Sequence, residues 1–170
     1  MEEYRDYTAS HWLVYPPIEE LSIVKKLKER ADFKIMDNIT FNATFNSINE
    51  KILTPVILIN GNIGDKVIGM WDTGANICSI SRHTAKRLHL EIKETRGSIK
   101  TGNGIKSGIE LTTVDFLQPD GSTTNVRCDI IGDDEPFDFV VSMEIISLGN
   151  FSIKATPAGG FSFTFEYPPK

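Results

Sequence analysis

The sequence predicts a mainly β domain, closed or sandwiched, with one or two short helices and a helical extension at its N-terminal side. Three observations carry this. From about Asp37 onward, short runs rich in β-branched and aromatic residues follow one another, each bounded by Gly, Asp, Pro or Asn. Within that region only two stretches show helical signals. Before it, residues 1–36 carry a single amphipathic period instead. The expected division is therefore an extension over 1–36 and a domain over 37–170.

Taken in order, Pro16 and Pro17 precede IEELSIVKKLKERAD, where Ile18, Leu21, Val24, Leu27 and Ala31 share one face. Glu19 and Glu20 open this helix and Lys28 and Arg30 close it, as the macrodipole prefers. Its apolar stripe either packs on the following domain or serves as a lid, pro-segment or partner-docking surface. TFNATFNSI then alternates as a strand, and KILTPVILING ends at Asn60-Gly61, a hairpin signal. KVIGMW and ANICSIS read as strands flanking a short loop. Ser81 is placed to cap RHTAKRLHL, a helix with Ala85 and Leu88 turned inward. GSIKTG, GIELTTVDFLQ, TTNVRCDIIG, FDFVV and FSFTFEY continue the strand pattern. Pro119-Asp120-Gly121 is a turn signal, and MEIIS gives a second short helix.

The chain has 170 residues, 40% of them hydrophobic and 24% charged, with a net charge of -5. That length suits one domain with a real core. The acidic balance gives no electrostatic case for nucleic acid or an anionic membrane as partner. MEEYRDYTASHW lacks the basic and apolar regions of a signal peptide, and no apolar run approaches the roughly 20 residues of a membrane helix. Sequons at Asn38, Asn42 and Asn150 then read as chance. Cys78 and Cys128 have no metal-type spacing and read as reduced thiols in or near the core, which points to a cytoplasmic or otherwise reducing location. His11, His83 and His89 show no ligand spacing. Asp133-Asp134-Glu135 reads as a solvated loop, because the spacing of a calcium loop is missing.

Chemistry concentrates in VIGMWDTGANICSIS, Val67 to Ser81, where an apolar strand delivers one carboxylate, Asp72, into Thr73-Gly74-Ala75. A bare buried carboxylate is costly, so Asp72 must be hydrogen-bonded or put to work. The tripeptide alone is a weak signal, and a turn aspartate bonded to its own loop is the bland reading. Its setting is stronger. Gly74 allows a sharp turn or close approach, Thr73 offers a hydroxyl, and strand and helix follow.

Strand, D-T-G-A loop, strand and helix together resemble the half-site of the retropepsin-like aspartic protease family, in particular its bacterial members. TGNGIKSG, Thr101 to Gly108, is similar to the family's flap hairpin. FDFVVSMEIISLGNFSI, Phe137 to Ile153, resembles the segment passing beneath the active-site loop, and FSFTFEYP resembles the tail. The likeness covers roughly Phe41 to Pro168. It implies the closed β-barrel of the acid-protease fold and an aspartic endopeptidase. Such chemistry uses two facing carboxylates sharing a proton: one activates water, the other stabilises the oxyanion. The motif occurs once, so the resemblance implies a homodimer pairing Asp72 with its copy across a twofold axis. It also implies that Asp72, Thr73 and Gly74 form the catalytic loop. Ala75, Gly102, Asn103, Gly104, Val140, Val141 and Ser142 would meet an extended peptide, and no metal or organic cofactor is required.

The chain departs from the family at Ser142, where glycine is usual, at Glu144, where aspartate is frequent, and at His89, where a helix-ending glycine is expected. Ser142 would either crowd the loop or add a hydrogen bond. A second reading is thus a retropepsin-like fold kept as a dimerisation or peptide-binding module, with cleavage weak or lost. A serine or cysteine hydrolase fits less well, since Ser79 and Cys78 lack an elbow motif and a paired histidine.

Overall fold

The computed structural model describes residues 40–47, 51–101 and 104–167. The expected N-terminal helix lies outside them, as do Gly102 and Asn103. Twelve strands and two short helices are found among the described residues. They are β1 (Thr40–Phe45), β2 (Leu53–Asn60), β3 (Ile63–Trp71), β4 (Cys78–Ser81), α1 (Arg82–Arg87), β5 (Lys93–Glu94), β6 (Ser98–Thr101) and β7 (Gly104–Ser107). β8 (Glu110–Leu117), β9 (Thr123–Ile131), β10 (Phe139–Val141), α2 (Met143–Ile146), β11 (Asn150–Ala155) and β12 (Phe161–Glu166) complete the order.

The main sheet runs β2-β3-β10-β4-β9-β8, and a further β2–β8 pairing closes it into a six-stranded barrel with β5 attached to β8. Closure leaves those strands without raw edges. β2 and β3 are joined at Gly61, whose φ of 57° suits the tight two-residue link between Asn60 and its partner Ile63. The Pro119-Asp120-Gly121 turn forms as expected: Gly121 sits at φ 83°, and the Asp120 carboxylate accepts from the Ser122 N–H at 2.9 Å.

A second sheet, β1-β12-β11, is antiparallel throughout. Its inner face carries Phe41, Phe45, Phe161, Phe163 and Phe165, all buried, with Phe151 half-buried beside them. Alternation in TFNATF and FSFTFE places these rings on one side, as a half-buried strand requires. They pack on Trp71 at the end of β3: ring centroids lie 5.0 Å from Phe163, 4.9 Å from Phe165 and 5.3 Å from Phe41. Trp71 thus joins the barrel to the second sheet, helped by Phe116 of β8, whose ring centroid lies 6.2 Å from that of Phe41. Strands β5 and β11 do not stand out in the sequence. KE is too short to show a period, and NFSIKA mixes polar and apolar residues because most of it is exposed.

Helix α1 starts at its expected cap and ends at Arg87, three residues short of the expected RHTAKRLHL stretch. The Ser81 hydroxyl accepts from the Thr84 N–H at 3.2 Å, and Ala85 and Leu88 are fully buried. Beyond the cap, His89 adopts φ 53°. Its N–H donates to the Lys86 carbonyl and the Leu90 N–H to the Ala85 carbonyl, the paired bonds of a left-handed helix stop.

Candidate active site

Strand β10 lies between β3 and β4, parallel to the first and antiparallel to the second. The chain between β3 and β4 must therefore cross the end of β10, and Asp72 to Ile77 make that crossing. The Asp72 N–H donates to the Val141 carbonyl at 3.0 Å, and the Met143 N–H donates to the Ala75 carbonyl at 2.9 Å. The underpass expected from FDFVVSMEII is thus a physical clamp on the D-T-G-A loop.

Within the loop, the Asp72 Oδ1 accepts from the Gly74 N–H at 2.8 Å, and the Ala75 N–H reaches the Asp72 carbonyl at 3.3 Å. The turn aspartate of the bland reading is realised, but it occupies one carboxylate oxygen only. Asp72 is half-buried, while Thr73 and Gly74 are exposed. A Cβ on Gly74 would stand 3.2 Å from that same Oδ1, tighter than ordinary contact, so the glycine gives the carboxylate room. Ala75 is half-buried. Val140, Val141 and Ser142 are buried, the last two completely, so they support the loop from below and offer little surface.

Support continues beneath. Trp71 donates its indole Nε1–H to the Thr54 Oγ1 at 2.8 Å, both side chains being buried, and its main-chain N–H reaches the Ile52 carbonyl. Asp138 binds four ways: Oδ2 accepts from the Ile68 N–H, Oδ1 from the Thr84 hydroxyl, its carbonyl from the Ser81 N–H, and its N–H donates to the Ile68 carbonyl. It therefore fastens β3 and α1 on either side of the crossing. Thr54 carries no sequence signal for this work; Asp138 stands beside the expected underpass, a place from which to orient a neighbour, and the structure identifies which neighbours.

The two cysteines, 50 positions apart in sequence, face each other across the parallel β4–β9 ladder, both free and buried. Hydrogen bonding from Cys128 and Ser142 outweighs burial and lowers the Cys78 thiol below its ordinary value. Cys128, bonded to Cys78 and buried, is pushed well above it. Next along the ladder, the Ser79 hydroxyl donates to the buried Asp129 carboxylate.

β6 and β7 form the expected hairpin, with Thr101 opposite Gly104 and Gly104 at φ 119°, a conformation that favours glycine. Ile105 is 74% exposed near its tip. Lys106 ties the hairpin to the barrel by donating to the Ile130 carbonyl at 3.1 Å. At its base, Arg82 bonds Glu110; the guanidinium holds the Glu110 carboxyl below the usual range, and the Arg82 value rises in return. Of the acidic run, Asp133 accepts from the His83 N–H at 2.8 Å and Glu135 faces Lys51 at 3.6 Å.

A closed barrel with a D-T-G-A crossing above a Val-Val-Ser clamp defines the class, and residues 57–147 match the family model described as "gag-polyprotein putative aspartyl protease". The chain belongs to that family of retropepsin-like aspartic proteases. Among solved structures it is similar to a retropepsin-like aspartic protease from Rickettsia conorii, at 17% identity and a TM-score of 0.50 over 77% of this chain and 94% of that one. The EIAV protease, complexed with the inhibitor HBY-793, aligns at 18% identity and a TM-score of 0.45 over 58% and 88%. The retroviral protease-like domain of Ddi1 from Leishmania major aligns at 14% and 0.35 over 65% and 92%. No curated protein matches the sequence. Among the described residues no helix is long and apolar enough to cross a membrane.

Proposed function

We propose that the protein is an aspartic endopeptidase acting as a homodimer, in which Asp72 of each copy supplies one carboxylate of a shared site. The observation that carries this reading is the half-buried Asp72 on a clamped loop whose next two residues, Thr73 and Gly74, are exposed. One oxygen of Asp72 is fixed by Gly74, so the carboxylate is oriented before substrate arrives. D-T-G occurs once in the chain. Its partner therefore comes from a second copy, and a twofold axis past the loop places two carboxylates together with Thr73 and Gly74 lining the contact.

Two carboxylates so placed hold one proton between them, and the titration belongs to the pair. The ionised member takes a proton from water as the water attacks the scissile carbonyl. The protonated member stabilises the developing oxyanion, and the amine leaves protonated. The substrate is an extended peptide, held by main-chain bonds beneath the β6–β7 hairpin, with Ala75 and Gly104 nearest to it. Val140, Val141 and Ser142 act from below. The noncatalytic reading drew on Ser142 as a crowding residue. Its hydroxyl instead lies at hydrogen-bond distances from its neighbours, which supports the catalytic reading.

The test is a peptide-library digest from acidic to neutral pH, wild type beside Asp72→Asn, at several protein concentrations. Wild type should cleave, with a rate rising faster than linearly at low concentration. Asp72→Asn should fold and dimerise yet lose activity by roughly a thousandfold or more. Cleavage unchanged by the substitution would remove Asp72 from the mechanism; a dimer that cuts nothing at any pH would leave the binding module.

A further inference from the structure

Ser142 sits at the centre of the clamp on the catalytic loop. The residue before it accepts from the Asp72 N–H, and the residue after it donates to the Ala75 carbonyl. Between these two main-chain ties lies a wholly buried polar side chain. Its Oγ accepts from the Glu144 N–H at 3.2 Å, capping α2, and lies 3.2 Å from the Cys78 Sγ. A serine hydroxyl has one hydrogen to give, and with the cap accepted on a lone pair that hydrogen is free for the sulfur. Cys78 opens β4, the strand that leaves the loop. The hydroxyl thus spans the two elements that bracket Asp72 to Ile77: the exit strand on one side and the underpass on the other. Glycine at 142 would keep both main-chain ties and lose this bridge.

We propose that Ser142 is a positioning residue for Asp72, its hydroxyl locking β4 to the start of α2 so that the carboxylate is held at one height above the clamp. The proposal rests on the reading of Asp72 as catalytic. The plainer role, capping a four-residue helix, affects stability alone and makes no use of Cys78. The two are therefore separated at the sulfur. Cys78→Ala removes the bridge, along with the sulfur's bonds to Cys128 and the Ser142 main chain, and leaves the cap, whereas Cys78→Ser keeps a hydrogen-bonding group facing all three.

The experiment measures kcat and KM for Ser142→Ala, Cys78→Ala, their double variant and Cys78→Ser, on a peptide cleaved by wild type. Amide hydrogen exchange at Asp72 and Met143 is followed in the same proteins. Each single alanine variant should lower kcat about tenfold with KM within about twofold, because a misplaced carboxylate costs the transition state more than binding. The double variant should lose about tenfold, not a hundredfold, since both changes cut one bridge. Cys78→Ser should stay near wild type, and exchange at the two amides should quicken in both alanine variants. Overturning results are additive losses in the double variant, or a Cys78→Ala protein equal to wild type in kcat and exchange. If Ser142→Ala fails to fold, the contrast between Cys78→Ala and Cys78→Ser decides alone. A wild type that cleaves nothing refutes the catalytic reading, and the exchange rates then still decide whether the bridge holds the loop.

Discussion

Replacing Trp71 by Phe tests whether the residue before Asp72 is a mechanical anchor. The indole does two things: it stacks among Phe41, Phe163 and Phe165, and it donates to the Thr54 hydroxyl at 2.8 Å. Phenylalanine keeps an aromatic face toward the second sheet but has no N–H. Thr54 is 2% exposed, so water cannot replace the lost donor without opening the barrel. Leaving that buried group underbonded costs about 1–3 kcal/mol. The smaller ring leaves a void, and at about 24 cal/mol per Å3 a few tens of Å3 add roughly 1 kcal/mol. The expected loss is about 2–4 kcal/mol, read as a fall in the urea midpoint at fixed protein concentration, since the proposed dimer would make apparent stability concentration-dependent. Thr54→Val separates the two causes. In the Trp71→Phe background it removes an already orphaned hydroxyl and should cost about 1 kcal/mol less than it does in wild type. Equal costs in both backgrounds would refute the anchor, reducing Trp71 to apolar filling.

His89→Gly should raise stability by about 0.5–1 kcal/mol, because glycine adopts the left-handed conformation without a Cβ penalty; thermal unfolding reads it, and a lower midpoint would contradict the strain argument. The Glu110 carboxyl is depressed chiefly by its bond to Arg82. Its contribution is therefore complete above the unfolded carboxyl value of about 4.3 and fades as pH falls through the folded one. Wild type should lose stability more steeply than Glu110→Gln as pH drops from about 5 to 3, and parallel curves would show the pair to be inert. Ile105→Ser on the exposed hairpin should leave the unfolding midpoint within about 0.5 kcal/mol yet raise KM several-fold, since a surface change disturbs binding without touching the core. An unchanged KM would take Ile105 out of substrate contact.

Much of this was legible where local chemistry repeats. TFNATF and FSFTFE alternate strictly, so their buried rings follow from the sequence, as do the Ser81 cap and the inward turn of Ala85 and Leu88. The D-T-G-A crossing was legible because strand, loop and helix each carry their own signal. Three features were not. Cys78 and Cys128 meet only because β4 and β9 pair in parallel, a register that spacing does not encode. Thr54 serves Trp71 through a hairpin partner strand. Asp138, adjacent to a recognisable motif, acts on Ile68 and Thr84 some 70 and 54 positions away. Long-range partners are set by topology, and a single sequence states topology only through the family it resembles.

The strand order β3-β10-β4 carries a consequence for the order of assembly. Residues 72–77 are synthesised early, but the strand that holds their crossing, Phe139–Val141, follows some 60 residues later. Until it inserts, β3 and β4 have no common neighbour and Asp72 has no Val141 carbonyl to bind. Non-local pairing of this kind is slow, because loop-closure entropy is lost before any contact repays it. The hairpins β2–β3 and β8–β9 can form on their own; the D-T-G-A crossing cannot. The D-T-G-A loop is therefore kept from its final shape by the topology of the chain until the barrel is nearly complete, and on the proposed function that delay also holds back cleavage by a nascent chain.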